Sequence, residues 1–123
     1  MAFDPYSLCP CGTGKKIKFC CPELLGELEQ LDRLVEGDQT EAALEQVIRL
    51  LEKHPKKACL LATRTKLELA TKRFNDAAVT SRAFLEAYPD NPLALGHAAV
   101  AAALLDNMQE AASLFDRSRE LAG

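Results

Sequence analysis

From Leu24 onward the apolar positions recur with the period of an α-helix. Leu24, Leu28, Leu31 and Val35 are separated by 4, 3 and 4 residues, which sets them on one helical face, and Gly37-Asp38 interrupts the run. A second stripe of Ala43, Val47, Leu50 and Leu51 predicts a helix over 40–54. Pro55 closes it, because the residue before a proline disfavours helical backbone. A third helix over 57–72 uses Ala58, Leu61, Ala62, Thr65 and Leu69. The fourth, over 75–88, uses Phe74, Ala77, Ala78, Ser81 and Leu85 and stops at Pro89. Asn91-Pro92 opens a fifth helix that reaches about 105; after a turn at Asp106-Asn107, Met108, Ala111, Ala112 and Phe115 mark a sixth. Everything after Glu23 reads as helix, so the fold class is all-α.

The pattern also repeats. Pro55 and Pro89 are 34 residues apart, as are Ala43, Ala77 and Ala111, and Glu52, Glu86 and Glu120. A small alanine lets two helices cross closely, and a proline after the second helix ends the unit so that the next can stack. This helix–turn–helix period resembles the tetratricopeptide repeat (TPR), with Phe74 and Met108 where an aromatic often precedes the alanine. The large aromatic and Leu-Gly pair usual in the first helix are absent; Leu61, Arg64 and Thr65 stand there, then Leu95, Ala98 and Ala99. A plain helical-hairpin bundle is the alternative.

The resemblance implies an antiparallel, TPR-like array of about six helices over 23–123, in units of about 23–55, 56–89 and 90–123. The first unit is expected to carry one extra turn residue and to act as a cap. First helices would line a concave groove through Cys59, Ala62, Lys66 and Leu69, then Leu93, Gly96, His97 and Val100. Repeats that clamp a terminal carboxylate pair Lys with Asn at such places; Ala62, Thr63 and Lys66 do not. The groove suits an apolar segment, with Lys66, His97 and Val100 as candidate partner-binding residues. Helix 93–105 is apolar nearly all round, which implies burial on several sides, a homodimer among the ways to achieve it.

Composition sharpens this picture. The chain has 123 residues, 48% hydrophobic with no tryptophan, so its core is built from Leu and Ala rather than large rings. Its net charge of -3 is uneven: residues 1–22 carry +2 and the remainder -5. A basic head on an acidic body argues against generic nucleic-acid binding by the whole chain. The first twenty residues hold no apolar signal run, and stretch 93–105 is shorter than the roughly 20 residues a bilayer span needs. A soluble, cytoplasmic protein without a membrane partner is expected.

The head carries the chemistry. Cys9-Pro10-Cys11-Gly12-Thr13-Gly14-Lys15-Lys16-Ile17-Lys18-Phe19-Cys20-Cys21 places four of the five cysteines within thirteen residues. Four thiolates so close can surround one tetrahedral ion, and zinc is the usual occupant of such a cage. Gly12 and Gly14 can take backbone angles barred to other residues, curling N–H groups toward the sulfurs. A turn is expected at Asp4-Pro5, and residues 16–21 form one helical turn or an extended return. Disulfides are the rival reading, but adjacent Cys20 and Cys21 cannot easily bond each other, and a reducing compartment disfavours them. An iron–sulfur cluster also takes four cysteines, although the 9/11 spacing suits a mononuclear site better. The redox spacing C-x-x-C is absent, and Gly12-Thr13-Gly14-Lys15 lacks the flanking residues of a phosphate loop.

This stretch closely resembles the SEC-C motif, the zinc module at the C-terminus of the translocase motor SecA. The pattern there is C-x-C-G-[ST]-G-K-K, a mostly aromatic position, then K-x-C-[CH]. Here Ile17 stands at the aromatic position and Cys21 where the translocase has histidine. By this resemblance residues 1–22 are a zinc knuckle, with Cys9, Cys11, Cys20 and Cys21 as ligands of one structural zinc. Four thiolates close the shell, and His54 and His97 lie far along the chain, so no enzyme is expected. Cys59 reads as a small apolar core or groove residue. Lys15, Lys16 and Lys18, with Ile17 or Phe19, would form a patch that docks on a partner protein or only balances thiolate charge. The translocase module contacts the chaperone SecB and has been linked to ribosomes, which implies a chaperone-like or ribosomal partner. The function expected is a zinc-binding adaptor for protein–protein interaction; the alternative is ribosome or nucleic-acid binding by the basic knuckle.

Overall fold

The computed structural model describes residues 6–12 and 14–122, without the side chains of Phe19, Leu121 and Ala122. The turn expected at Asp4-Pro5, the motif position Thr13 and the Phe19 part of the lysine patch lie outside the described residues. A one-turn helix α1 (Ile17–Cys20) and a 3-10 turn (Pro22–Leu24) lead into α2 (Leu25–Glu36) and α3 (Thr40–Lys53). Then follow α4 (Ala58–Ala70), α5 (Phe74–Ala87), α6 (Pro92–Leu104) and α7 (Met108–Ala122). The fold is all-α. Residues 16–21 take the helical-turn option.

The 34-residue period is written into the backbone. Asp38, Lys72 and Asp106 have φ of 61°, 62° and 64°, and each sits in the turn inside one hairpin. Gln39 N–H donates to the Leu34 carbonyl at 2.7 Å, Arg73 to Glu68 at 2.8 Å and Asn107 to Ala102 at 2.8 Å. Asp38, Lys72 and Asp106 donate to the carbonyls of Val35, Leu69 and Ala103 in the same way. This is a Schellman end, which satisfies carbonyls the helix leaves orphaned. All three hairpins keep the same spacing, so the extra turn residue expected in the first unit is absent.

Helices α2 to α6 bury most of the face their period predicts, and the sandwiched helices bury more; Val35, expected on the α2 stripe, is exposed. Leu24, Leu28, Leu31, Ala43 and Val47 are in the core as expected; Leu44, Leu60, Leu67 and Phe84 join them. Helix α6 packs against α4, α5 and α7, with Ala94, Leu95, Ala98, Ala99, Ala101 and Ala102 buried. That packing covers most of its apolar surface within one chain, while Val100 and Leu104 stay exposed. Helix α7 has a narrower inner face, because α6 is its main neighbour. Ala111 and Leu114 are buried there, whereas Met108 and Phe115, expected on the inner stripe, are exposed.

Candidate metal centre

The cysteine segment is a small hairpin before it is a site. Leu8 and Lys16 form an antiparallel bridge, Ile17 N–H donates to the Ser7 carbonyl at 2.8 Å and Cys9 N–H to Lys15 at 2.9 Å. Gly12 and Gly14 at its tip have φ of 82° and 80°, the left-handed region expected of them. Cys20 ends α1, and Cys21 follows with φ -131° and ψ 53°, a change of direction between neighbours. The hairpin and α1 thereby bring four sulfurs to one point.

The Sγ atoms of Cys9, Cys11, Cys20 and Cys21 all lie within 4.8 Å of one another. Cys11 Sγ and Cys20 Sγ are 3.0 Å apart, Cys20 Sγ and Cys21 Sγ 3.7 Å, and none of the cysteines is in a disulfide. A tetrahedral zinc with Zn–S bonds of about 2.3 Å sets its sulfurs about 3.8 Å apart, inside this range. The cluster therefore fits a zinc knuckle. Cys9, Cys11 and Cys21 are buried. Cys11 draws the Cys9 thiol down, but Cys59 and burial outweigh it and hold Cys9 above the ordinary thiol range. Burial raises Cys21 as well. A dication would offset that desolvation, and its uptake would release protons.

Residues from the array complete the site, and the sequence patterns did not mark them. Cys59 on α4 is fully buried in the same core cluster, with its thiol in hydrogen-bonding contact with Cys9 and Cys21. It is therefore a core residue and not a groove residue. Asn91 donates from Nδ2 to the Cys11 carbonyl at 2.7 Å, while its Oδ1 caps α6 through Leu93 N–H at 2.9 Å and Ala94 N–H at 3.3 Å. A Cβ on Gly12 would come within 2.5 Å of Leu93 Cβ, so the knuckle sits against α6 through a glycine. Lys57, before α4, pairs with Glu23 at 2.5 Å, and that partner raises the pKa of the lysine.

The expected lysine patch takes a different form. Ile17 is fully buried and belongs to the core, so it contributes nothing to the surface. Lys15, Lys16 and Lys18 are exposed, and the Nζ atoms of Lys16 and Lys18 each lie 5.4 Å from the centre of the exposed Tyr6 ring. This surface is an aromatic ring flanked by two cations.

The groove residues separate into two sets. Ala62, Lys66, Leu93 and His97 line a cavity of about 350 Å³ between α2, α4, α6 and Pro10 of the knuckle. Val100 is exposed and lies outside that lining, as do Leu69 and Gly96. His54 is exposed at the end of α3. Among the described residues no helix is long and apolar enough to cross a membrane. No family model matches the chain, and no curated protein matches it.

Proposed function

We propose that the protein is a zinc-binding adaptor: a SEC-C-like knuckle, stiffened by one structural zinc, docked on a TPR-like array that binds a partner protein. Zinc, when bound, supplies a fixed tetrahedral centre for Cys9, Cys11, Cys20 and Cys21. The observation that carries this reading is the convergence of those four sulfurs within 4.8 Å on an array whose inner face is open. Cys59 and Asn91 position the cysteine turns, Lys57 adds positive charge beside them, and Ile17 anchors the knuckle in the core. A shell of four thiolates leaves no place for substrate, which favours recognition over catalysis.

Capture of partners from a cell extract tests the adaptor reading. Val35→Glu and Lys66→Glu alter the groove rim at exposed positions, and Cys9→Ser removes a ligand. The adaptor requires a partner that wild type retains and the groove variants lose; a partner profile untouched by all three contradicts it.

The Tyr6 surface favours a second reading, ribosome or nucleic-acid binding. Exposed aromatic rings stack on bases while lysines meet phosphates. Binding of single-stranded RNA that weakens with salt, and weakens further in Tyr6→Ala or Lys16→Ala, would support it. RNA binding indifferent to salt and to both changes would rule it out.

A further inference from the structure

The cavity between the knuckle and the array carries unused hydrogen-bonding capacity. Asp32 Oδ2 and His97 Nδ1 are both buried, neither has a hydrogen-bond partner, and both residues belong to its lining. A buried polar atom left unpaired is costly, and a ligand bringing the missing partner recovers that cost. The remaining lining is largely apolar: Leu28, Leu31, Leu67 and Leu93 form the walls and Pro10 closes one side.

Charge narrows the ligand. Asp32 brings a negative charge and Lys66 a positive one, while burial, and then Lys66, keep His97 below its ordinary pKa and neutral. The formal sum is zero, so a neutral ligand suits it. A lysine or arginine side chain would set its own charge near Lys66. A leucine side chain would fill the walls but leave Asp32 Oδ2 unpaired. An aromatic ring carrying one N–H or O–H fills the apolar walls and gives Asp32 Oδ2 its donor. The volume of about 350 Å³ lies at the low end of small-ligand sites, suited to one such ring. The chain holds no tryptophan, and neither tyrosine is in the lining, so the ring comes from outside.

We propose that the cavity lined by Asp32, Lys66, His97, Leu31, Leu67 and Leu93 binds a tryptophan or tyrosine side chain of the partner protein. The ring N–H or O–H donates to Asp32 Oδ2, and the ring packs on the leucines. Aromatic side chains of this kind supply the anchors of many interfaces, because one end is apolar and the other needs a polar partner. The inference rests on the adaptor reading and specifies what its groove selects.

The test uses the zinc-loaded full chain and four probes: the N-acetyl amides of tryptophan, tyrosine, phenylalanine and leucine. Amide chemical shifts followed up to about 10 mM probe are enough to detect ligands of this size, which bind near millimolar. The tryptophan and tyrosine amides are expected to shift residues of α2, α4 and α6 around the cavity and to bind about tenfold tighter than the phenylalanine amide. Asp32→Ala removes that preference and leaves the fold's shifts elsewhere unchanged. Equal binding of the phenylalanine or leucine amide, shifts scattered over the surface, or no shifts at all would overturn the assignment. If the probes fail while Val35→Glu still abolishes partner capture, the groove reading stands and only the aromatic anchor falls.

Discussion

The knuckle and the array are held together by different forces. The array carries its own ordering: a repeated Schellman turn, helical stripes, and buried Phe84, Leu60, Leu28 and Val47. Among the described residues the knuckle has one bridge, one helical turn and a cluster of thiols whose burial opposes the charge a metal site needs. A segment that small cannot own a core, so contact with the array must order it, and a bound metal would add to that order. The array explains folding, and a metal held by the four cysteines would link folding to loading. Their joint is local: Asn91, Gly12 against Leu93, Cys59, and the Glu23–Lys57 pair.

Changes on each side should therefore have different signatures. Cys9→Ser should have the largest effect, losing zinc and the order of residues 7–21 while circular dichroism keeps the helices of 40–122; metal content and amide exchange check it. Structural zinc contributes on the order of 10 kcal/mol in small modules, so the loss at the knuckle is decisive. Phe84→Ala acts from the other side. It deletes a fully buried ring and should cost the array about 3–5 kcal/mol by denaturant unfolding.

The joint sits between these. Asn91→Ala removes the α6 cap and the donor to the Cys11 carbonyl, and should cost about 1–3 kcal/mol. Its mark is weaker zinc retention together with a lower melting point; Asn107→Ala, which caps α7 far from the site, should lower only the latter.

The 3-10 turn that follows the knuckle is tied to the start of α4 through Glu23 and Lys57. Lys57 lowers the Glu23 pKa from its ordinary 4.5, so that contribution is present above pH 4.5 and is lost as pH falls. Glu23 raises the Lys57 pKa from its ordinary 10.5, so that contribution is present below pH 10.5 and is lost as pH rises. Between those limits the pair stabilises, but both side chains are partly exposed, so Lys57→Ala should cost only about 0.2–1 kcal/mol. Urea titrations at acid, neutral and alkaline pH should show the difference only at neutral pH. The smallest effect has the opposite sign. Lys72 sits at φ 62°, and Lys72→Gly should stabilise the array by up to about 1 kcal/mol with zinc affinity unchanged.

What the sequence showed and what it hid divide along the same line. Helix faces and the four-cysteine spacing are local patterns, so 4, 3, 4 spacing and C-x-C with C-C were sufficient to find them. Contacts between segments distant in sequence left no such mark. Nothing in Asn91 announces an N–H donated to Cys11, eighty residues earlier. Ile17 stood among lysines and read as surface, yet it is fully buried in a core cluster that the knuckle shares with the array. Cys59 read as a small core or groove residue, and Lys57 as the start of a helix. Phe115 failed for a related reason: period alone does not say how many neighbours a helix has.

Amide hydrogen exchange before and after zinc chelation, with metal content measured alongside, is the most direct test of the central claim. One zinc per chain is predicted, with protection around Cys9, Cys11, Cys20 and Cys21 lost on chelation while α3 to α7 remain protected. A chain that binds no zinc, or whose exchange is unchanged when the metal is removed, would contradict it.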